Sequence, residues 1–243
     1  MNSIAPLLIR ITGLVTGLQT SQSSENFVFE SGDRAAGSAA AVGLAMGGLA
    51  GAATGAAMSS GDAADKVTVF LCQVGDQRVT GRFGEVGFTN DDVVEVVGSV
   101  QSHQLHALAV TRPADRTIWM HPHCSRGTKA YKQFCWRWIP ALSFLTPTVM
   151  FAAANFFSST ESPPWWFEVI SISAAAVMLG LILFLLAKRF YSFAVLSSEI
   201  FASLQFDKPE SVDLPKRLST ATKTMPPEDK QRYHPWHRWV YKY

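Results

Sequence analysis

"KVTVFLCQVGDQRVTGRF", from Lys66 to Phe83, holds two runs rich in Val, Thr and Phe on either side of Gly75-Asp76. Branched and aromatic side chains favour extended backbone, and Gly-Asp marks a turn, so the stretch predicts two strands. The pattern continues through "VVEVVGSV" (Val93–Val100), "LHALAVTR" (Leu105–Arg112) and "RTIWM" (Arg116–Met120), with turn residues at Asn90-Asp91 and Pro113-Ala114-Asp115. Short strands at such close spacing predict a small all-β domain over 62–130, a barrel or a sandwich. An oligonucleotide-binding-like (OB-like) barrel is the first expectation, without nucleic acid as its ligand. Residues 1–34 offer two more strands, in "LIRITGLVTGLQT" and "NFVFES".

Between them lies a run of 24 residues, Ala35 to Met58, without a charge and with 11 Ala and 6 Gly. Alanine is the best helix former, and a linker would carry more polar residues, so a helix is expected. Gly43, Gly47, Gly51 and Gly55 recur every fourth position, and Ala35 and Ala39 extend the series backward. Such a small-residue face lets helices in a bilayer approach closely. Three readings stay open: a membrane-inserting glycine-zipper helix, a helix packed on the rest of the protein, or a loose Gly/Ala insertion. If residues 1–34 belong to the same barrel as 62–130, a single crossing by 35–58 is impossible.

C-terminal to the strands the chain becomes apolar in two blocks. Trp138–Phe157 and Val169–Ala187 carry no charge, and as helices each spans about 30 Å, the hydrocarbon thickness of a bilayer. A transmembrane helical hairpin over 138–187 follows, with kinks expected at Pro140 and Pro147. Trp138, Trp165 and Trp166 suit the interfacial level, and Lys188 and Arg189 close the second span. Arg126, Lys129, Lys132 and Arg137 precede the first span, whereas the connection 158–164 has no Lys or Arg. The positive-inside rule therefore puts the β domain and the tail 188–243 in the cytoplasm. The tail is read as a helix continuing past Ala187, then an extended stretch broken by Pro209, Pro215 and Pro226-Pro227. Its end, "RYHPWHRWVYKY", mixes aromatic and basic residues, which suits a membrane surface, a docking groove or a strand on the β domain.

The net charge is only +2, so a basic nucleic-acid binder is not indicated. Three cysteines, Cys72, Cys124 and Cys135, fit a reducing compartment better than a disulfide framework. His121, His123 and Cys124 in "HPHC" are the nearest approach to a metal cluster, but no second pair stands at zinc spacing. No nucleotide-binding or hydrolase motif is present. Neither a cofactor nor an enzymatic activity is expected. Arg112, Asp115 and Arg116 are expected to pair across the last turn.

Residues 66–190, most distinctively "RPADRTIWMHPHCSRG" followed by the apolar hairpin, resemble proteobacterial membrane proteins described as type VI secretion system effectors. The resemblance implies delivery into a neighbouring bacterium or association with the delivery machine, and action at the bacterial inner membrane. Beside the lipid bilayer, the expected partners are further copies of the chain or one protein among secretion machinery, a chaperone or an immunity protein. The resemblance supplies no catalytic residues. Together with the glycine face, it leads to the expectation of an α+β membrane protein that perturbs the lipid bilayer through 35–58 and the hairpin. The alternatives are a non-toxic membrane scaffold, an adaptor or an immunity protein whose β domain binds a partner.

Overall fold

The computed structural model describes residues 8–25, 65–101, 104–157, 164–226 and 239–243. Six of the seven strands expected from the sequence appear in order: β1 Leu8–Glu25, β2 Asp65–Val74, β3 Gln77–Phe83, β4 Val93–Gln101, β5 Gln104–Arg112 and β6 Thr117–Met120. A seventh, β7 Val240–Lys242, comes from the far end of the chain. The glycine run 35–58, "NFVFES" and His103 lie outside the described residues.

Five strands close a barrel. β1 pairs with β2 and β4, β2 with β3, and β4 with β5, all antiparallel, and a short parallel pairing of β3 with β5 completes the circuit. One long strand serves two neighbours because it turns a corner. Leu8–Leu14 pair with β4, Val15–Glu25 with β2, and the register slips between Thr16 and Gln19. Gly17 sits in this slip at φ +61°, a left-handed conformation that a side chain with Cβ disfavours. At the far end of the pairing Glu25 faces Asp65, so the connection 26–64 leaves and re-enters the barrel at adjacent positions.

A second bulge divides β5 between two cores. Val97 pairs with Ala109 and Gly98 with Ala107, which leaves Leu108 as the extra residue. Before it, Leu105 and Ala107 point into the barrel; beyond it, Ala109 faces outward while Val110 faces in. Inside, Phe70 lies 5.1 Å from Phe83 and 5.3 Å from Phe88, and Phe88 meets Trp119 edge-on at 5.4 Å. The outer core gathers Val97, Ala109, Ile118 and Tyr241 from the strands with side chains of the C-terminal helices. The inner aromatic contacts follow from alternation along single strands, whereas the outer core needs segments a hundred residues apart.

Helix α1 runs from Thr128 to Phe157 and α2 from Trp165 to Ser203, each longer than the apolar run inside it. Both are long and apolar enough to cross a membrane, and only 11% and 6% of their most apolar windows are buried. They pack as an antiparallel pair with small residues at the crossing. Ser143 and Ala176 are buried, and a Cβ built on Gly180 would stand 3.2 Å from Ser143 Oγ. Asn155 donates to Glu168 at the end remote from the barrel (2.9 Å), and Tyr131 donates to the Ala187 carbonyl at the near end (2.9 Å).

At about 58 Å, α2 is nearly twice the thickness of a hydrocarbon core. Its last three turns or so pack one face on the barrel, with Ile200 and Phe201 buried in the outer core and Phe193 and Leu196 partly buried beside them. The proline-rich tail is more ordered than an extended stretch. Pro209 starts a 3₁₀ turn, and Pro215 lies in the first turn of a third helix, α3 Leu214–Ala221, where its missing N–H costs nothing. Asp213 caps that helix by accepting from the Lys216 amide at 3.1 Å.

The C-terminal "WVYKY" forms the strand that had been one of its open readings. Ile118 faces Tyr241 and Trp119 faces Val240, with Trp239, Val240 and Tyr241 buried. Arg112 clamps the strand ends: its guanidinium bonds Asp92 at 2.8 Å and Asp115 at 2.9 and 3.1 Å, and lies over Trp119. Arg116 is not part of this pair as expected. Its carbonyl instead accepts from the Tyr243 amide, and Lys242 is the second cation at Asp115.

Candidate functional site

The hairpin meets the barrel at a stitched junction. Gly127 N–H donates to Val212 and Leu214 N–H to Ser125, which ties the start of α1 to the start of α3. The Thr128 amide, an orphan donor of the first turn of α1, bonds Ser198 Oγ of α2 at 2.9 Å. Between the three helices a groove of about 890 Å³ opens beside the first apolar turns of the hairpin. One wall is apolar, built of Phe134, Trp138, Ile139, Leu142, Leu183 and Ala187. The lining also carries Arg126, Arg137 and Lys216, with Asp213 as its one acidic member.

Arg126 reaches this lining from the loop before α1. Its guanidinium lies 4.2 Å from the Phe134 ring centroid, and its Nε stands 3.3 Å from Asp213 Oδ1. That contact is an ion pair but is out of line for a hydrogen bond, and the buried Nε has no hydrogen-bond acceptor among the described residues. A smaller chamber of about 470 Å³ continues inward from Arg126, Tyr131 and Phe134 to His123, Trp239 and Tyr241. Lys129, Lys132, Lys188 and Arg189 are exposed on the same turns, so the hairpin base carries a cluster of positive side chains.

The residues marked in the sequence distribute over three places. Trp138 lines the groove; Lys188 and Arg189 stand on α2 just below it; Trp165 and Trp166, 76% and 52% exposed, mark the opposite end of the hairpin. Gly43, Gly47, Gly51 and Gly55 fall outside the described residues. His121, His123 and Cys124 do not converge on one point. The His121 ring is near the Pro122 carbonyl, and the His123 ring packs against Phe190, Phe193 and Trp239 at 5.4–5.5 Å. Cys124 is fully buried, and that burial pushes its thiol up to about 12 despite a hydrogen bond with Ser197, which is unsuited to a thiolate nucleophile. Among the described residues no three His, Cys, Asp or Glu side chains come close enough to hold a metal ion.

Lys216 and Asp213 were not marked as site residues in the sequence, nor was Arg126 read as more than a flanking charge. Each is unremarkable alone, and only the docking of 212–217 against 125–138 assembles them. Comparison of the chain with protein-family models, with curated proteins and with solved structures yields no match.

Proposed function

We propose that the protein resides in a bacterial inner membrane and carries its barrel, rigidly attached, on the cytoplasmic face as a module for binding a protein partner. The observation that carries this reading is α2, which passes without a break from an uncovered apolar stretch into the outer core of the barrel. A flexible anchor would need only the apolar part. A helix continued for about three turns with one face buried there holds the barrel at one height and orientation beneath the bilayer. The positive cluster at the barrel end supports the cytoplasmic orientation, as does the connection 158–164 without Lys or Arg at the other end. The five strands close in the circuit β1-β2-β3-β5-β4, which supports the OB-like reading, and barrels of that kind serve as binding scaffolds.

Alkaline carbonate extraction, with protease digestion of spheroplasts and inverted vesicles, tests the reading. The expected result is a chain retained in the membrane, with a C-terminal tag cleaved only in inverted vesicles. Release by carbonate, or cleavage in intact spheroplasts, overturns it.

A second reading is the type VI secretion effector that perturbs the membrane through the Gly/Ala run. It is favoured by the resemblance over residues 66–190. Because Glu25 and Asp65 are paired, both ends of the connection 26–64 lie on one side of any bilayer. Expression in bacteria with a voltage-sensitive dye separates the readings. Depolarisation that is lost in Gly47→Leu/Gly51→Leu at matched membrane levels supports the effector. Unchanged potential with either chain leaves the anchored binding module, and protection of cells from a co-expressed toxin would make that module an immunity protein.

A further inference from the structure

We infer that the groove at the hairpin base is a binding site for one anionic glycerophospholipid, the phosphate held by Arg126, Arg137 and Lys216 and an acyl chain lying along Ile139, Leu142 and Leu183. The inference rests on the membrane reading above. Its first support is position. The groove begins where the charged first turns of α1 end and runs into the apolar part of the hairpin, so it crosses the level at which a lipid changes from headgroup to chain.

The second support is charge. Three cations and one carboxylate line the groove, and the carboxylate is already paired with Arg126. The arrangement therefore retains excess positive charge beside an apolar wall, complementary to a lipid with a phosphate diester and a net negative headgroup. The third is the continuity of cation and apolar wall. The Arg126 guanidinium lies 4.2 Å from the Phe134 ring, so a phosphate held there stands beside the apolar wall and its ester carries the glycerol backbone toward Trp138. A free phosphate would satisfy the same donors but would leave the Ile139–Leu142–Leu183 wall uncovered.

Native mass spectrometry of the full chain, released from micelles after incubation with defined lipids, tests the site. Phosphatidylglycerol is expected to remain bound at one per chain and to be preferred over phosphatidylcholine by about tenfold. The surface variant Arg137→Gln/Lys216→Gln leaves the Arg126–Asp213 pair in place and is expected to lower that preference at least about fivefold with an unchanged thermal transition. Leu183→Trp, which fills the apolar wall, is expected to lower retention of both lipids. Equal retention of the two lipids by the native chain overturns the site, as does retention that neither variant alters. Displacement of the lipid by millimolar inorganic phosphate alone would assign the three cations to free phosphate and overturn the lipid. A chain that resists carbonate extraction yet shows no selective lipid refutes this inference while the membrane reading stands; a chain released by carbonate refutes the membrane reading itself.

Discussion

Replacing Phe201 by alanine tests whether the barrel and the hairpin form one mechanical unit. Phe201 is 0% exposed and lies in the cluster that joins α2 to Val97, Ile118, Leu214 and Tyr241, with Phe206 at 5.5 Å. Removing a buried ring of this kind costs about 3–5 kcal/mol, the spread reflecting how far the site collapses. Here three separate segments surround the ring, so little collapse is expected and the cost is set at about 4 kcal/mol. This is roughly a thousandfold change in the folding equilibrium at 1.36 kcal/mol per factor of ten. For a unit of this size each kcal/mol lowers the midpoint by about 2–4 °C, hence about 8–16 °C in all. The assay is thermal unfolding of the full chain in detergent, followed by near-ultraviolet circular dichroism. Phe88→Ala in the inner core serves as a positive control, because Trp119 and Val240 of the inner core are neighbours of Ile118 and Tyr241 of the outer one on β6 and β7. Leu185→Ala, at a position 57% exposed, serves as the negative control. If Phe201→Ala unfolds like Leu185→Ala, the barrel is not held by α2 and rigid attachment is wrong.

Acid should weaken the clamp at Asp115. Burial works against its charge, but hydrogen bonds from Arg112 and Thr117 and the charges of Arg112 and Lys242 prevail and hold the carboxyl at about 2. Since the unfolded value is near 3.9, the stabilisation is complete above about pH 4 and is lost as the pH falls through about 2. With the side chain 33% exposed, solvent screening reduces it to about 1–2 kcal/mol. The stability difference between the native chain and Asp115→Asn should be present at pH 7 and shrink toward pH 2; a difference independent of pH refutes the assignment. Thiol reactivity offers another check, because burial pushes Cys72 up to about 11 and Cys124 to about 12, whereas Cys135 is half-buried at the groove. A maleimide at pH 7.5 should add once, at Cys135, until the chain is unfolded, when all three cysteines react; early modification of Cys124 would contradict its place in the outer core.

Much of the architecture was legible because it depends on local pattern. The β3 limits expected from "QRVTGRF" are those observed, and the apolar runs appear within α1 and α2, because period-two alternation and uninterrupted apolarity are properties of neighbouring residues. The helix ends were less legible. α1 starts at Thr128, ten residues before its apolar run, since its first turn is secured by Ser198 from a distant helix. Pro215 looked like a breaker and proved to be in an opening turn, because the cap that decides between the two, Asp213, is itself placed by its bridge to Arg126.

By itself the sequence determined the strand-forming segments, the apolar hairpin and the asymmetry of charge across it. These follow from side-chain period, length and sign, which no later contact alters. The tertiary structure decided the barrel's closure, the capture of the C-terminal strand by β6 and the groove in which Arg126, Arg137 and Lys216 meet. Those depend on pairings between residues up to 127 positions apart, such as Asp115 with Lys242, whose free energy arises only when burial and charge are brought together by the whole fold.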